Sequence, residues 1–324
     1  MTSFYPSRRL MLKTMLATGA AVCLPACVTN IRFDGSFLQL WRDHLSLPKE
    51  TWSKLFDLMQ QAGCRELFLQ WVAMEDGEDS WQASDEFLRT LFDLAQERNM
   101  GMHLGLPYRA DWWEMLDAND MQRMETFLAQ TQNDARRYVA ASSLAGHPQF
   151  RGWYIPYELE QYHWATATSQ EKLIPWLQVL SAIATTTQGQ APSISTYFSR
   201  IPTEGSLVSL WKNILDHTAL YPMVQDGAGV AGLDNYMALA PLRDLFNTRQ
   251  IDYDLIVELF HQTSDDSKQE PFQAISASPS RVRQQIARAR DFDATRIIVF
   301  AIDPWLTDKT QEAQLLRNAL FEFP

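Results

Sequence analysis

Short apolar runs alternate with amphipathic segments along the chain from Phe33 to its C-terminus. Each run is rich in β-branched and aromatic residues and ends beside polar side chains, a pattern typical of parallel strands covered on both faces. The pattern predicts eight strands: Ser36–Trp41, Glu66–Trp71, Met100–Leu106, Gly152–Tyr157, Ser193–Phe198, Ala219–Gln225, Asp254–Glu258 and Arg296–Ile302.

The segments between these runs carry the signals of helices. Asp85–Asn99 spaces its apolar residues at a helical period, and Thr168-Ser-Gln-Glu171 matches a capping box at the start of the fourth helix. The stretch Asn119–Leu144 is long and less regular. It is predicted to contain an extra helix or a bend.

Eight units of strand followed by helix fit the (β/α)₈ TIM barrel, which typically takes about 250 residues. The alternative is an open doubly wound sheet, which would favour a glycine-rich phosphate loop after an early strand. The sequence contains no such loop. We therefore expect a single α/β domain, a (β/α)₈ barrel, over residues 33–324.

The first 26 residues have the pattern of an export signal. Ser7-Arg-Arg-Leu-Met-Leu-Lys13 is a twin-arginine motif, and Leu24-Pro-Ala-Cys27 after an apolar stretch resembles a lipoprotein cleavage box. Residues 1–26 are thus predicted to be a signal segment and residues 27–32 a short tether. The expected product is exported folded by the twin-arginine route to the periplasm and is anchored to a membrane by a lipid on Cys27.

The composition narrows the classes of partner. The net charge of −11 and the absence of a basic run in the body argue against nucleic acid, and they leave the lipid at Cys27 as the expected membrane contact. After cleavage, Cys64 would be the remaining unmodified thiol, and it is expected to be a buried small hydrophobe.

Acidic residues follow two of the predicted strands. The apolar run of strand four ends at Glu158 and Glu160, and the run of strand seven ends at Glu258. In a barrel the carboxyl ends of the strands meet at one mouth, where catalytic groups lie. Two carboxyl groups facing one bond are the equipment of a glycoside hydrolase.

The other residues at the strand ends suit a sugar. Flat aromatic rings pack on the apolar faces of sugar rings, and amide, carboxylate and hydroxyl groups bind their hydroxyls. The predicted substrate-binding residues are Gln39, Trp41, Gln70, Trp71, Trp113, Glu160, Tyr197, Gln225, Asp226 and Trp305. Two alternatives stay open here: about half of the tryptophans at this end cap the barrel, and Asp226 either binds a hydroxyl or caps the next turn.

No cofactor and no metal are expected. The six histidines lack paired ligand spacing, and neither calcium-type loops nor a Gly-x-Ser-x-Gly motif occurs. His44, His163 and His261 are the histidines that could still converge.

Several segments also resemble, in matching order, a bacterial family of TIM-barrel domains of unknown function, family 4434, which is similar to glycoside hydrolases. They are Gly35–Trp41, Phe68–Trp71, Gly152–Glu158, Gln225–Gly229 and Val257–Phe260. By wider analogy, the resemblance implies an acid/base at Glu158 after strand four and a nucleophile at Glu258 after strand seven. In the related glycosidases an asparagine precedes the first glutamate, whereas Tyr157 stands here.

These observations predict a glycoside hydrolase that acts on a cell-envelope or extracellular polysaccharide, with a retaining mechanism. Glu158 lies in the more apolar stretch and is expected to hold the proton, while Glu258 is expected to be ionised. If Glu160 replaces Glu158, inversion becomes the alternative. The rival function is a barrel that binds polysaccharide without cleaving it, within an export or assembly system.

Overall fold

The protein is described by a computed structural model over residues 31–118, 120–264 and 271–321, apart from the side chain at position 188. Eight parallel strands form a closed barrel, in which each strand pairs with its neighbours along the chain and the last pairs with the first. The strands are β1 (Gly35–Leu38), β2 (Glu66–Leu69), β3 (Gly101–Gly105), β4 (Phe150–Leu159), β5 (Ser193–Thr196), β6 (Tyr221–Gln225), β7 (Asp254–Glu258) and β8 (Arg296–Phe300). The predicted (β/α)₈ barrel is confirmed, and the open sheet is excluded.

A long helix follows each strand and covers the outside of the barrel. These helices are α1 (Lys49–Gln61), α2 (Asp85–Glu97), α3 (Met121–Ala141), α4 (Ala167–Gln188), α5 (Leu207–His217), α6 (Asn235–Arg249), α7 (Pro279–Arg290) and α8 (Gln311–Phe321). None of the helices in the described part of the chain is both long enough and apolar enough to cross a membrane.

Two layers of apolar side chains hold the barrel together. The inner layer lies inside the strands, where Phe37 of β1 packs 5.3 Å, centroid to centroid, from both Phe68 of β2 and Tyr154 of β4. The outer layer lies between strands and helices and holds most of the buried apolar residues. Burial on both faces explains why the strands read as nearly continuous apolar runs.

Extra elements at the carboxyl ends of the strands shape the mouth. Short helices at Trp112–Asp117, Ala228–Ala231 and Ile302–Trp305 follow β3, β6 and β8, and a two-stranded hairpin of Phe260–Gln262 and Ala274–Ser276 follows β7. The first of these lies before the stretch Asn119–Leu144, in which an extra helix or a bend was expected and which contains the single long helix α3.

Some boundaries differ from the sequence prediction. The capping box expected at Thr168 is wrong, because α4 begins at Ala167 and the Thr166 hydroxyl accepts the Ser169 N–H instead. Strand β4 is longer than expected and shifts its register against β5 between Ile155 and Leu159. Cys64 is buried and free, as expected. The predicted leader and Cys27 lie outside the described residues.

Candidate active site

A pocket of about 940 Å³ opens at the carboxyl ends of the barrel strands. Its size is within the range of about 300–1,000 Å³ that small-molecule sites usually occupy. Loops after strands β1 to β8 contribute to it, and its lining is predominantly aromatic and amide-bearing. The lining residues include Gln39, Gln70, Trp71, Tyr108, Trp112, Trp113, Glu158, Tyr197, Gln225, Gly227, Asn235, Glu258 and Phe260.

Glu158 lies near the end of β4 and is partly exposed to this pocket. The amide Nε2 of Gln225, at the end of β6, donates to Glu158 Oε1 over 2.6 Å. Burial raises the pKa of Glu158, and this hydrogen bond acts in the opposite direction because it favours the ionised form. The contact also fixes where the carboxyl group lies.

Glu258 ends β7 and is the more enclosed of the two acids, with only 5% of its surface exposed. The backbone N–H of Gly229 donates to its Oε2 over 2.6 Å. Burial, followed by the charges of Asp226 and Glu158, raises the pKa of Glu258 to about 8. Both acids line the same pocket, so the charge of Glu158 adds to this rise.

The expected distribution of the proton between Glu158 and Glu258 stays a prediction, because burial raises the pKa of both acids. Sequence suggested that Glu158 would be protonated and Glu258 ionised, because apolar residues flank Glu158. In the fold, it is Glu258 that is the more buried and that lies beside another carboxylate. Flanking residues do not determine how enclosed an acid is, because strand neighbours point away from the pocket while residues from other elements surround each acid.

The glycines after β6 allow Glu258 to make its backbone contact. Gly227 has a φ of +62°, which favours glycine. A Cβ on Gly229 would lie 2.7 Å from Glu258 Oε2, so a side chain there would displace the carboxyl group. Gly229 thus leaves room for the Glu258 carboxyl group, whereas a Cβ on Gly227 would meet the Asn235 amide.

Asp226 does not line the pocket. It is fully buried, and its carboxylate accepts hydrogen bonds from the backbone N–H groups of Ala228 and Glu258 and from the side chains of Tyr236 and Gln285. Of the two alternatives raised by the sequence, the fold favours the local one. The prediction that Asp226 contacts substrate is corrected.

Glu160 is also buried outside the pocket. Its carboxylate accepts the backbone N–H of His163 over 2.9 Å and lies 2.5 Å from the Nδ1 of the same residue. The other ring nitrogen of His163 lies 3.0 Å from Asp117 Oδ1. These contacts hold the β4–α4 loop against the short helix after β3, so the prediction that Glu160 is a substrate contact or an alternative acid is corrected.

The tryptophans of the mouth divide into two groups. Trp71, Trp112 and Trp113 line the pocket, whereas Trp41 and Trp305 are not part of its wall. Trp71 is only 5% exposed, stacks on Tyr108 at 4.8 Å and donates its Nε1–H to the Leu40 carbonyl. Trp71 is therefore part of the barrel packing as well as of the pocket wall.

Trp41 and Trp305 lie beside the pocket rather than in its wall. Trp41 is 44% exposed, and its ring packs edge-on against Trp71 at 5.7 Å. Trp305 packs against Phe260 at 5.5 Å. The prediction that Trp305 binds substrate directly is corrected, while Trp41 extends an aromatic surface outward from the mouth.

The structure brings Gln39, Gln70, Tyr197 and Gln225 to the pocket wall. It adds Asn235, which sequence reasoning missed because the residue belongs to helix α6 rather than to a strand end. Its amide nitrogen donates to the Asp226 carbonyl over 2.9 Å, which fixes the orientation of the amide.

Within the described residues, the buried Gln70 Oε1 and Asn235 Oδ1 have no protein donor. Both are acceptors that suit hydroxyl groups. In the same part of the chain, no group of three or more His, Cys, Asp and Glu residues is arranged to hold a metal ion.

The family assignment rests on a match over most of the chain. The model of "Domain of unknown function (DUF4434)" matches residues 33–314. The chain belongs to the DUF4434 family. A curated relative, "Uncharacterized protein YbcH" of Escherichia coli K12, is 24% identical over 188 residues, which are 55% of this chain and 60% of that protein. The match thus spans less than two thirds of the relative.

Solved structures similar to this DUF4434 member are glycosidase barrels. A candidate α-L-fucosidase from Bacteroides thetaiotaomicron has a TM-score of 0.63 at 14% identity, with 90% of this chain and 96% of that chain covered. A β-galactosidase from Marinomonas ef1 has a TM-score of 0.56 at 8% identity, with 88% and 59% covered. An endo-1,4-β-mannanase from Rhizomucor miehei has 0.53 at 12%, with 90% and 94% covered. At these identities the likeness shows the fold.

Proposed function

We propose that this protein is a glycoside hydrolase that cleaves a polysaccharide of the cell envelope or the extracellular space. The observation that carries the proposal is the pair Glu158 and Glu258, which come from separate strands and line one aromatic pocket. Glycosidic hydrolysis needs two carboxyl groups at one bond, one protonated and one ionised. Both members of the pair have a raised pKa, which suits a pair that holds a proton.

Glu158 is the acid/base and Glu258 the nucleophile in this proposal, as the barrel glycosidases with acids after strands four and seven suggest. The reaction is a retaining double displacement, which needs carboxyl groups about 5–5.5 Å apart. Glu258 attacks the anomeric carbon while Glu158 protonates the leaving oxygen. Water then releases the sugar, with Glu158 acting as the base.

The proposed pair gives the reaction a dependence on pH. Attack requires the ionised Glu258 and departure requires the proton on Glu158, so the active enzyme holds one proton on the pair. Because the pKa of Glu258 is about 8 and that of Glu158 is also raised, kcat/KM is expected to follow a bell-shaped pH profile whose alkaline limb lies near or above pH 8. A kcat/KM that does not change between about pH 5 and 10 would contradict a catalytic pair.

The pocket also offers groups for the sugar. The two buried acceptors, Gln70 Oε1 and Asn235 Oδ1, are suited to hydroxyl groups and could replace the asparagine that is missing before Glu158. The rings of Trp113 and Tyr197 line the same space and suit the apolar faces of a sugar ring. The expected ligand is therefore a carbohydrate.

The proposal is tested by incubating the purified domain with aryl α-L-fucosides, aryl β-galactosides, β-1,4-mannan and a panel of envelope and capsular polysaccharides, with products analysed by mass spectrometry. On the substrate that is cleaved, Glu258→Ala is expected to reduce turnover by at least about 1,000-fold. Glu158→Ala should keep activity on aryl glycosides with good leaving groups and respond to added azide.

Glu204→Ala is the matched control, because Glu204 is exposed and does not line the pocket. Its turnover should match the wild type. Cleavage that is unchanged in both Glu158→Ala and Glu258→Ala would reject the pair.

A second candidate is a barrel that binds polysaccharide without cleaving it. The feature in its favour is the raised pKa of Glu258, which keeps this carboxyl group protonated at neutral pH. A protonated carboxyl group cannot attack the anomeric carbon. Glycan binding without any product between about pH 5 and 10, a range that spans that pKa, would favour this function.

The proposed setting is the periplasm, reached in the folded state through Arg8 and Arg9, with a lipid on Cys27. Replacing both arginines by lysine should leave the precursor in the cytoplasm, and Cys27→Ala should release the product from the membrane fraction. Normal export of the first variant, or membrane retention of the second, would contradict the corresponding half.

A further inference from the structure

A third carboxylate lies behind the proposed catalytic pair. Asp226 Oδ1 accepts the N–H groups of Ala228, over 3.0 Å, and of Glu258, over 3.3 Å. Its Oδ2 accepts the Tyr236 hydroxyl over 2.8 Å and Gln285 Nε2 over 2.7 Å. All four partners donate, so the contacts fit the ionised carboxylate and oppose the rise in pKa that burial causes.

The same contacts hold the end of β7. Gln285 also donates to the Glu258 carbonyl over 3.0 Å, and Arg281 donates to that carbonyl over 3.3 Å. Both residues belong to α7, so this helix and Asp226 clamp the backbone of Glu258 from two sides. The backbone N–H and the carbonyl of Glu258 are therefore both hydrogen-bonded, while its side chain lines the pocket.

The charges around Glu258 come from three other elements. Asp226 after β6 and Glu158 on β4 are acidic, and Arg281 on α7 is basic. The Arg281 guanidinium is bonded to the carbonyls of Ala228, Glu258 and Phe260 rather than to a carboxylate. Arg288 of α7 lies farther away, over the Tyr236 ring at 5.9 Å.

We propose that Asp226 is a permanent buried anion that positions Glu258 and keeps the proton on this glutamate. The assignment of a role in catalysis rests on the proposed function, whereas the electrostatic effect itself does not. Behind the reacting groups, a fixed negative charge would also stabilise the positive charge that develops on the sugar ring during glycoside cleavage. Asp226 is thus a positioning residue that acts through Glu258.

The experiment measures the titration of Glu258 in the full domain by ¹³C NMR of its carboxyl group, with the signal assigned through Glu258→Gln. Asp226→Asn keeps the size of the side chain and removes its charge. The Glu258 titration is expected to move to lower pH by about 1–3 units, the usual effect of removing a close like charge. Tyr236→Phe is the matched control, because it removes one donor to Asp226 and keeps the charge.

In Tyr236→Phe the Glu258 titration should stay close to that of the wild type. An unchanged titration in Asp226→Asn, or an equal downward shift in Tyr236→Phe, would overturn the proposal. A measurement on the wild type covers the case in which Asp226→Asn does not fold: the Asp226 carboxyl signal must remain that of the anion while Glu258 titrates. If Asp226 gains a proton in the same range, the proposal is wrong. None of these measurements uses a substrate, so their failure is separate from failure of the hydrolase function.

Discussion

Strand β7 carries a buried acid at each end, and the two acids have opposite surroundings. Asp254, at the amino end, is fully buried and accepts two hydrogen bonds from Arg296, of 2.9 and 2.7 Å, and one from the Tyr221 hydroxyl, of 2.9 Å. Glu258, four residues later, accepts a backbone N–H and faces two other carboxyl groups. One strand of five residues thus joins a paired acid to an unpaired one.

The other charged groups at each end of the barrel differ in the same way as the two acids. At the amino end Arg296 lies over the rings of Phe68 and Tyr221, and Glu66 lies 3.2 Å from His103. At the mouth, neither Glu158 nor Glu258 is paired with a cation in the part of the chain that the structure describes. Burial raises the pKa of Asp254 as well as that of Glu258. At Asp254 the hydrogen bonds from Arg296 and Tyr221 oppose the rise, whereas the carboxylates near Glu258 add to it.

The comparison shows that burial alone does not identify a functional acid. Asp254 and Glu258 are both almost completely enclosed, and only their partners differ. Barrel enzymes use the amino end for stability and the carboxyl end for chemistry.

The largest expected effect is at the paired end. Asp254→Ala leaves the charge of Arg296 and the Tyr221 hydroxyl without their partner. The free energy of unfolding should fall by about 3–5 kcal/mol, as when one member of a buried ion pair is removed. Chemical denaturation followed by tryptophan fluorescence measures the loss, and glycan affinity of the folded fraction should be unchanged.

The control is Asp244→Ala, which removes an exposed aspartate that pairs with its neighbour Arg243. Exposed pairs contribute little, so the free energy of unfolding should change by less than about 1 kcal/mol. If Asp254→Ala were as mild as this control, the amino end would not be the stabilising one.

The next effect is at the unpaired end and depends on pH. Glu258 has a pKa of about 8 in the folded protein, above its ordinary value of 4.5, so the folded state binds its proton more tightly than the unfolded state does. Between these two values the free energy of unfolding of the wild type falls as pH rises. Glu258→Gln removes this loss and should be more stable than the wild type by roughly 2–4 kcal/mol near pH 8, with little difference below about pH 4.5.

Denaturation at a series of pH values measures the difference. Glu204→Gln, at an exposed position, is the control and should follow the wild type throughout. If the free energies of unfolding of Glu258→Gln and the wild type changed in parallel with pH, Glu258 would not have a raised pKa in the folded protein. The contrast with Asp254 would then fail.

The fold was readable from sequence because a barrel repeats one local pattern. All eight apolar runs became strands, since each strand is covered on both faces and must be apolar whatever its neighbours are. The mouth was readable for the same reason, because residues that follow parallel strands meet at one end. Gln70 and Glu258 reached the pocket by this rule.

The role of each acid was not readable, because it depends on residues that are distant in sequence. Asp226 and Glu160 also follow apolar runs, yet donors from α6 and α7 enclose the first and His163 the second. Asn235 enters the pocket from a helix, where no strand-end rule applies. Its local sign is Gly227, which leaves room for its amide.

The smallest expected effect concerns the outer rim of the mouth. Trp41 is 44% exposed and does not line the pocket, but its ring packs edge-on against Trp71, which does. If a glycan chain leaves the pocket on this side, Trp41 offers the next aromatic face. Trp41→Ala should then weaken binding of the longest cleaved oligosaccharide by about 1 kcal/mol, roughly fivefold, and should change the free energy of unfolding by no more than about 0.5 kcal/mol. Isothermal titration with long and short oligosaccharides measures this, because a rim contact affects only the long one.

Leu315→Ala, at an exposed apolar position on α8, is the control and should leave both affinities unchanged. Equal weakening for long and short chains would mean that Trp41 acts by supporting Trp71 inside the pocket, and the mouth would then end at the wall formed by Trp71.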